Sequence, residues 1–325
     1  MRAMFLALAV LAAAALAALS HGDLRLPLGA VVRAVVGVPD TPPHVLAIVW
    51  SVRMPRVLTA VVVGMGLSVA GAIAQAILRN PLADPGIIGI NSGAAVAAMV
   101  VIVGFGAFSP GLLSLAGFLG ASLMAAAVMA LAWRDGTSSI RIILVGIGLG
   151  AAAGGVTTFL AALGDIGDVQ RAMVWMAGSL YESNWTRLAA LAAWTVPALL
   201  AAWLSAHHLD VALLGETVSR GLGQRVNLAR ILLLACCTLL SGAAVAAAGL
   251  VAFVGLVAPH LARHLVGPRH RVLLPVTALC GAALVVLADL AGRTVIAPAQ
   301  LPVGLTIAML GAPFFAFLMW ERRNG

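Results

Sequence analysis

Lysine is missing from all 325 positions, and its absence removes two chemistries. A phosphate-binding loop needs a glycine-rich turn closed by Lys-Ser or Lys-Thr, so this chain cannot hold a nucleotide that way. A lysine Schiff base is equally excluded. If the activity consumes ATP, another polypeptide hydrolyses it. Charge of either sign is scarce, at 9% of residues, where a soluble domain carries about 25%. A water-facing surface cannot be built from so few charges. With 62% hydrophobic residues and a mean hydropathy of +1.10, most of the surface must face lipid. The net charge of +8 comes from arginine alone. Those arginines stand singly between apolar blocks, which is not the clustered footprint of a nucleic-acid reader. Cysteine is nearly absent: Cys236 and Cys237 are adjacent and Cys280 lies alone, spacings that suit no metal site. No HExxH, no GxSxG and no paired carboxylates occur in any apolar block, so a membrane hydrolase has no support.

What the chain does have is long apolar runs. A transmembrane helix needs about 20 mostly apolar residues. The qualifying blocks are Ala3–Leu19, Val57–Leu78, Ser92–Phe108, Leu112–Trp133, Ile142–Leu163, Leu188–Ser205, Ile231–Ala248, Leu250–Val266, Val272–Ala291 and Leu301–Trp320. Arg2 precedes the first block, and Arg322 and Arg323 follow the last. Arginine favours the cytoplasmic side, so both ends are expected inside, which requires an even number of spans. Arg79, Arg134, Arg141, Arg220, Arg225, Arg230, Arg263, Arg269 and Arg271 then also fall inside, against Arg25, Arg33, Arg53, Arg56, Arg171, Arg187 and Arg293 outside. The first block ends in small residues and has a signal peptide as its alternative reading; a retained span fits the parity better. The expectation is an all-α polytopic membrane protein of about ten transmembrane helices, one membrane domain over residues 1–325.

Between the second and third blocks stands a hard stop, Arg79-Asn-Pro-Leu-Ala-Asp-Pro-Gly-Ile-Ile-Gly89. Asn80 and Asp84 each precede a proline and are pushed out of the α region. One helix is expected to end near Arg79 and another to begin near Ile87. The spacing of Gly71, Pro81 and Gly89 recurs at Gly249, Pro259 and Gly267. This suggests an inverted repeat of two five-helix halves. Gly146-Ile-Gly148-Leu-Gly150 lacks the preceding strand and following acid of a dinucleotide fingerprint, and Gly150-Ala-Ala-Ala-Gly154 reads as a small-xxx-small contact for close helix packing. His260 and His264 share a helix face, but no carboxylate completes a metal set, and they read as interfacial polar residues. Asp289 and Arg293, four apart, read as an ion pair. Leu213–Gly223 reads as an amphipathic, helix-compatible segment on the inside.

Several segments together resemble one family. They are Arg53-Met-Pro-Arg56, Gly71 to Gln75, Arg79 to Gly86 with Gly89 and Gly93, Ile143-Leu-Val-Gly146, and Trp175 to Leu180. Further along come Leu214-Gly-Glu216 with Leu222-Gly223, Phe253 to His260 with Arg263, His270-Arg271, Leu274-Pro275, Ala288-Asp289 with Arg293, Leu301-Pro-Val-Gly304 and Gly311-Ala-Pro-Phe314. In order over almost the whole chain, they resemble the permease subunits of ABC importers for ferric siderophores, haem and cobalamin.

The resemblance implies ten helices per subunit and a second permease subunit, identical or not, around a central path. It also implies two cytoplasmic ABC ATPases, which bind the ATP and Mg²⁺, and an extracytoplasmic substrate-binding protein. No cofactor is implied in this chain, and the location implied is the bacterial inner membrane. By the same resemblance Arg53, Arg56 and Arg293 dock the binding protein through its acidic residues. Leu214, Gly215, Glu216, Leu222 and Gly223 couple to the ATPase. Ser138 and Ser139 stand at a cytoplasmic gate, and Gly146, Gly148 and Gly150 line the path. A ferric siderophore ranks first as cargo, ahead of haem and cobalamin. Gln300 stands where the family usually has glutamate, which loses an outer negative charge but keeps amide hydrogen bonding. An ion-coupled secondary transporter is the reading from another class, with Asp289 as its only intramembrane carboxylate.

Overall fold

The computed structural model describes residues 2–22, 24–105, 109–134, 136 and 138–324. These hold fourteen helices and no strand. In chain order they are α1 (Arg2–Ser20), α2 (Leu28–Val36), α3 (Pro43–Leu78), α4 (Ile90–Gly104), α5 (Pro110–Ala132), α6 (Ser139–Leu163), α7 (Ile166–Met176), α8 (Trp185–Leu204), α9 (Ala206–Leu213), α10 (Glu216–Gly221), α11 (Val226–Ala248), α12 (Val254–Val266), α13 (His270–Thr294) and α14 (Val303–Asn324). Each predicted span coincides with one of α1, α3, α4, α5, α6, α8, α11, α12, α13 and α14.

Three helices form the interior. Of the most apolar stretch of each, 78% is buried in α3 and 67% in both α11 and α13, against 22% in α5 and 17% in α6. The first three are therefore held by protein and the last two present most of their surface outward. Hydrophobicity does not drive helices together in lipid, where association needs close packing and polar contacts. Here the close packing is backbone on backbone. A Cβ at Gly64 would overlap the Gly281 carbonyl of α13, and one at Gly71 would overlap the Gly255 carbonyl of α12.

Three of the polar contacts come from proline. A proline inside a helix donates no N–H and leaves a carbonyl one turn earlier without its partner. Pro259 frees the Gly255 carbonyl in this way, and Gln75 Nε2 of α3 donates to it at 3.2 Å. Arg263 donates to the same Gln75 side chain through Oε1, fixing its orientation. Pro275 frees the Arg271 carbonyl, which accepts from Trp203 Nε1 of α8 at 3.1 Å. In α3 the stretch Ile48–Arg53 is π-helical, so Pro55 frees the carbonyl five residues back, Trp50. That carbonyl accepts from Trp185 Nε1 at 2.9 Å. Each of these three bends thus becomes an acceptor for a side chain of another helix.

The Arg79–Gly89 stop folds as its composition requires. Arg79 leaves α3 in the left-handed region (φ 49°), Asn80 Oδ1 accepts from Leu82 N at 2.9 Å, and Asp84 Oδ1 accepts from Gly86 N at 2.8 Å. Pro85–Ile88 forms one 3-10 turn, so the next helix begins at Ile90 and not at Ile87. The third and eighth spans are shorter than the sequence suggests. At about 1.5 Å per residue, α4 and α12 fall short of the roughly 30 Å apolar layer. The eighth block is helical only from Val254, because Gly249 (φ 71°) and Phe253 (φ 65°) hold the preceding backbone out of helix. Phe108, the predicted end of the third span, lies outside the described residues.

Each half supplies one central helix, α3 and α11, and these pack on each other; α3 also packs along α13, and α11 along α5. Two related halves would pair their helices in this pattern. The Gly-Pro-Gly echo is a different matter. Pro81 follows the end of α3 while Pro259 lies inside α12, and Gly71 is mid-helix while Gly249 caps one. Those residues do not mark equivalent backbone.

The Gln75 contact generates a coupled pair of stabilities. Gln75→Leu leaves the buried Gly255 carbonyl without a donor and should cost about 1–3 kcal/mol, read as thermal unfolding in detergent. In a Pro259→Ala background the helix satisfies that carbonyl itself, and the same change should cost clearly less. Equal losses in both backgrounds would show that the two residues are not coupled.

Candidate functional site

At the end of the bundle assigned outside by charge, the three predicted docking arginines meet one carboxylate and the end of one helix. Asp289 is 4% exposed. Arg56 grips it with Nη2 at 2.9 Å and Nε at 3.1 Å, and Arg293 Nε lies 3.1 Å from its other oxygen. Arg56 Nη1 also donates to Gln300 Oε1 at 3.1 Å. A helix ends with carbonyls that have no helical partner. At the end of α1, Arg53 Nη1 donates to the Leu19 and Ser20 carbonyls at 2.6 and 2.9 Å, and its Nη2 to Leu24. Arg293 donates to the Ala18 and His21 carbonyls at 3.3 and 3.4 Å.

The picture of three surface cations is therefore corrected. Arg53 and Arg293 are each 6% exposed, and the Arg56 side chain is 12% exposed. All three turn inward because carbonyls and a carboxylate await them there. The helix expectation for Asp289 and Arg293 holds, but their pair is one side of a triad. That triad has two guanidiniums to one carboxylate. A glutamate at position 300 would balance it; Gln300 supplies only an amide oxygen.

Beside the triad lies a cavity of about 550 Å³, bordered by Arg56, Trp175, Tyr181, Gln300 and the exposed pairs of α7 and the α7–α8 turn. Arg171 is paired with Asp168, and Arg187 with Glu182 at 2.8 Å. Its size falls in the range of small-molecule pockets. Its lining offers hydrogen-bond donors, amides and apolar carbon, and no nucleophile beside a base. No group of three or more His, Cys, Asp or Glu side chains converges among the described residues.

At the opposite end the predicted coupling segment is not one helix. Gly215 (φ 94°) breaks it into α9 and α10, a conformation that disfavours any side chain. Glu216 opens α10 and pairs with Arg220 at 2.6 Å, with Arg230 of α11 at 3.9 Å. Ser219 Oγ donates to the Val211 carbonyl at 2.8 Å, folding α10 back on α9. Leu214 and Leu222 stay 56% and 62% exposed. Gly223 ends the segment in the left-handed region at φ 81°. Arg79 lies beneath it, with Nη1 only 3.2 Å from where a Gly215 Cβ would stand.

Ser138 is the half-buried N-cap residue of α6, and its side chain makes no cap bond. Ser139 is buried, and its Oγ donates to the Ile77 carbonyl at 2.8 Å, tying α6 to the last turn of α3. The α6 glycines divide. A Cβ at Gly146 would overlap the Ile87 carbonyl, so that glycine packs on the Arg79–Gly89 stop. Gly150 approaches Ser92, and Gly148 faces open space. Of the three predicted path glycines, Gly146 is covered and Gly148 and Gly150 are not tightly packed.

Asp84 is the residue that sequence reading underrated. A carboxylate before proline reads as turn chemistry, and it does cap the turn. It also lines a second cavity of about 250 Å³ with Leu82, Phe253, Leu256 and Phe315. Phe253 and Phe315 lie far away in sequence, so no local signal pointed there.

The triad makes a signed prediction. Asp289→Asn leaves two nearly buried guanidiniums facing each other and should cost about 3 kcal/mol, seen as a lower unfolding temperature in detergent. Gln300→Glu adds the missing charge and should raise that temperature. A neutral result for Asp289→Asn would remove the triad as a stabilising element.

Comparisons with known proteins identify the chain's family. The sequence profile of the FecCD transport family matches residues 9–321. A probable siderophore transport system permease protein of Bacillus subtilis (strain 168) is 42% identical, covering 85% of this chain and 82% of its own length. An achromobactin transport system permease protein of Dickeya dadantii (strain 3937) is 41% identical, over 98% of this chain and 91% of its own. A solved metal-chelate type ABC transporter in an inward-facing conformation superposes with a TM-score of 0.88 at 30% identity, covering 98% of both chains. This chain, a multi-pass membrane protein, belongs to the FecCD transport family.

Proposed function

We propose that this chain is the membrane-spanning permease of an ATP-driven importer that carries a ferric siderophore across the bacterial inner membrane, with both termini in the cytoplasm. The observation that carries this reading is the superposition, end to end, on a metal-chelate type ABC transporter. Haem and cobalamin are the alternative cargoes. The chain itself is not an enzyme in this reading: ATP and Mg²⁺ bind two cytoplasmic ATPase subunits, and a second permease, identical or not, completes the path.

The assignments of partners follow exposure. The α6 face carrying Leu144, Ile147 and Gly148 is uncovered and apolar, so the path and the second permease belong there. Leu214 and Leu222 are exposed apolar side chains at a tip that charge places inside, which suits an ATPase cleft. The binding protein delivers cargo at the rim of the 550 Å³ cavity, where Arg171 and Glu182 are exposed, 53% each. The inward arginines Arg53, Arg56 and Arg293 hold that rim in shape. A salt link gives the drive its route. When the ATPases close, they push α10; Glu216 and Arg79 pass the displacement to α11 and α3, the two central helices. Ser139 carries it on to α6 and the path. Reversal of the push returns the bundle to face outward.

Asp289 is held by two guanidiniums and is not available to couple an ion, so the secondary-transporter reading loses its one carboxylate. The test is uptake of labelled ferric siderophores, haem and cobalamin by the permease reconstituted with its ATPase and binding protein. Ferric siderophore uptake is expected, and uptake of haem or cobalamin alone would reassign the cargo. Leu222→Asp should lower ATP-dependent uptake by about tenfold with an unchanged unfolding temperature. Undiminished uptake would show that α10 is not the coupling surface.

A further inference from the structure

The last two turns of α12 carry His260 and His264, four residues apart and hence on one face. The two rings converge: Nε2 to Nε2 is 3.1 Å and the ring centroids are 4.6 Å apart, edge-on at 70°. A hydrogen bond, an edge contact or joint ligation of one metal can each bring imidazole nitrogens this close, and the centroid distance bears on which of them fits. A near-linear N–H···N hydrogen bond points both rings along one line and sets the centroids about 5.4 Å apart. Two nitrogens ligating one metal at about 2.1 Å instead point at a common apex, with centroids about 4.8 Å apart. The observed 4.6 Å is shorter than a linear hydrogen bond sets and is close to the separation of a shared apex. A nitrogen spacing of 3.1 Å subtends about 95° at such a metal, nearer the right angle of a square-planar or octahedral site than the tetrahedral angle.

The surroundings suit a cation. Arg263, between the two histidines in sequence, turns its guanidinium away to Gln75 on α3. His260 packs edge-on against Phe314 of α14, 5.9 Å between ring centres, which holds its ring in place. His264 is exposed, so water can complete the coordination. Neutral imidazole is the commonest protein ligand for such ions.

We propose that His260 and His264 form a binding site for a single divalent transition-metal ion of the copper and nickel class, separate from the outer cavity and from the coupling segment. Occupancy would brace the C-terminal turns of α12 beside α14.

The test uses the full chain in detergent, purified without a histidine tag, titrated with Ni²⁺ by calorimetry and with Cu²⁺ by electron paramagnetic resonance. One ion per chain is expected, with a Cu²⁺ spectrum split by two nitrogens. His264→Ala should weaken binding at least about tenfold and lose one nitrogen splitting, while a His207→Ala/His208→Ala double variant binds as the wild type does. His260→Gln should behave as His264→Ala does if the two act as a pair. Equal binding in His264→Ala, or no binding by the wild type, would leave the pair as a hydrogen bond and overturn the site.

Discussion

The contact on which the rest depends is the one between Gln75 of α3 and the Gly255 carbonyl of α12. Pro259 cannot donate to that carbonyl, and a bare carbonyl inside an apolar bundle is costly. Gln75 supplies the donor, Arg263 holds the amide in the required orientation, and the absence of side chains at Gly71 and Gly255 lets the two backbones come close enough. Remove any one part and the others lose their purpose. The same arrangement recurs where Trp203 meets the Arg271 carbonyl and where Trp185 meets that of Trp50. In a solvent that does not push apolar helices together, three proline bends supply specific points of attachment.

The two ends of the bundle are built differently. The outer end is an internal knot in which Arg53 and Arg293 cap α1 and Arg56 clamps Asp289. That knot is a rigid base for the cavity beside it. The end carrying α10 leaves apolar side chains outside, at Leu214 and Leu222, on either side of a short helix that reaches Arg230 of α11 through Glu216 and α9 through Ser219.

Some of this was legible in the sequence and some was not, for physical reasons. The Arg79 stop and the Asp289–Arg293 pair were readable because their causes lie within a few residues: proline before a turn, opposite charges one turn apart. The ten helical segments followed from apolar length. The fate of Arg53 and Arg56 was not readable, since their partners lie in α1 and α13 and nothing local distinguishes a buried guanidinium from an exposed one. The break at Gly215 depends on a positive φ that glycine permits without announcing. Gly146 and Gly148 are two residues apart, yet one packs on Ile87 and the other faces outward; that spacing puts them on opposite helix faces, and composition does not say which face is covered.

Without lysine this chain cannot form a phosphate-binding loop, and in the proposed function a partner ATPase supplies the energy. The direct measurement is flux of a labelled ferric siderophore into liposomes holding this permease, with its binding protein supplied throughout and with and without its partner ATPase and ATP. The account predicts accumulation only when ATPase and ATP are both present. Accumulation by the permease alone under a proton or sodium gradient would contradict it.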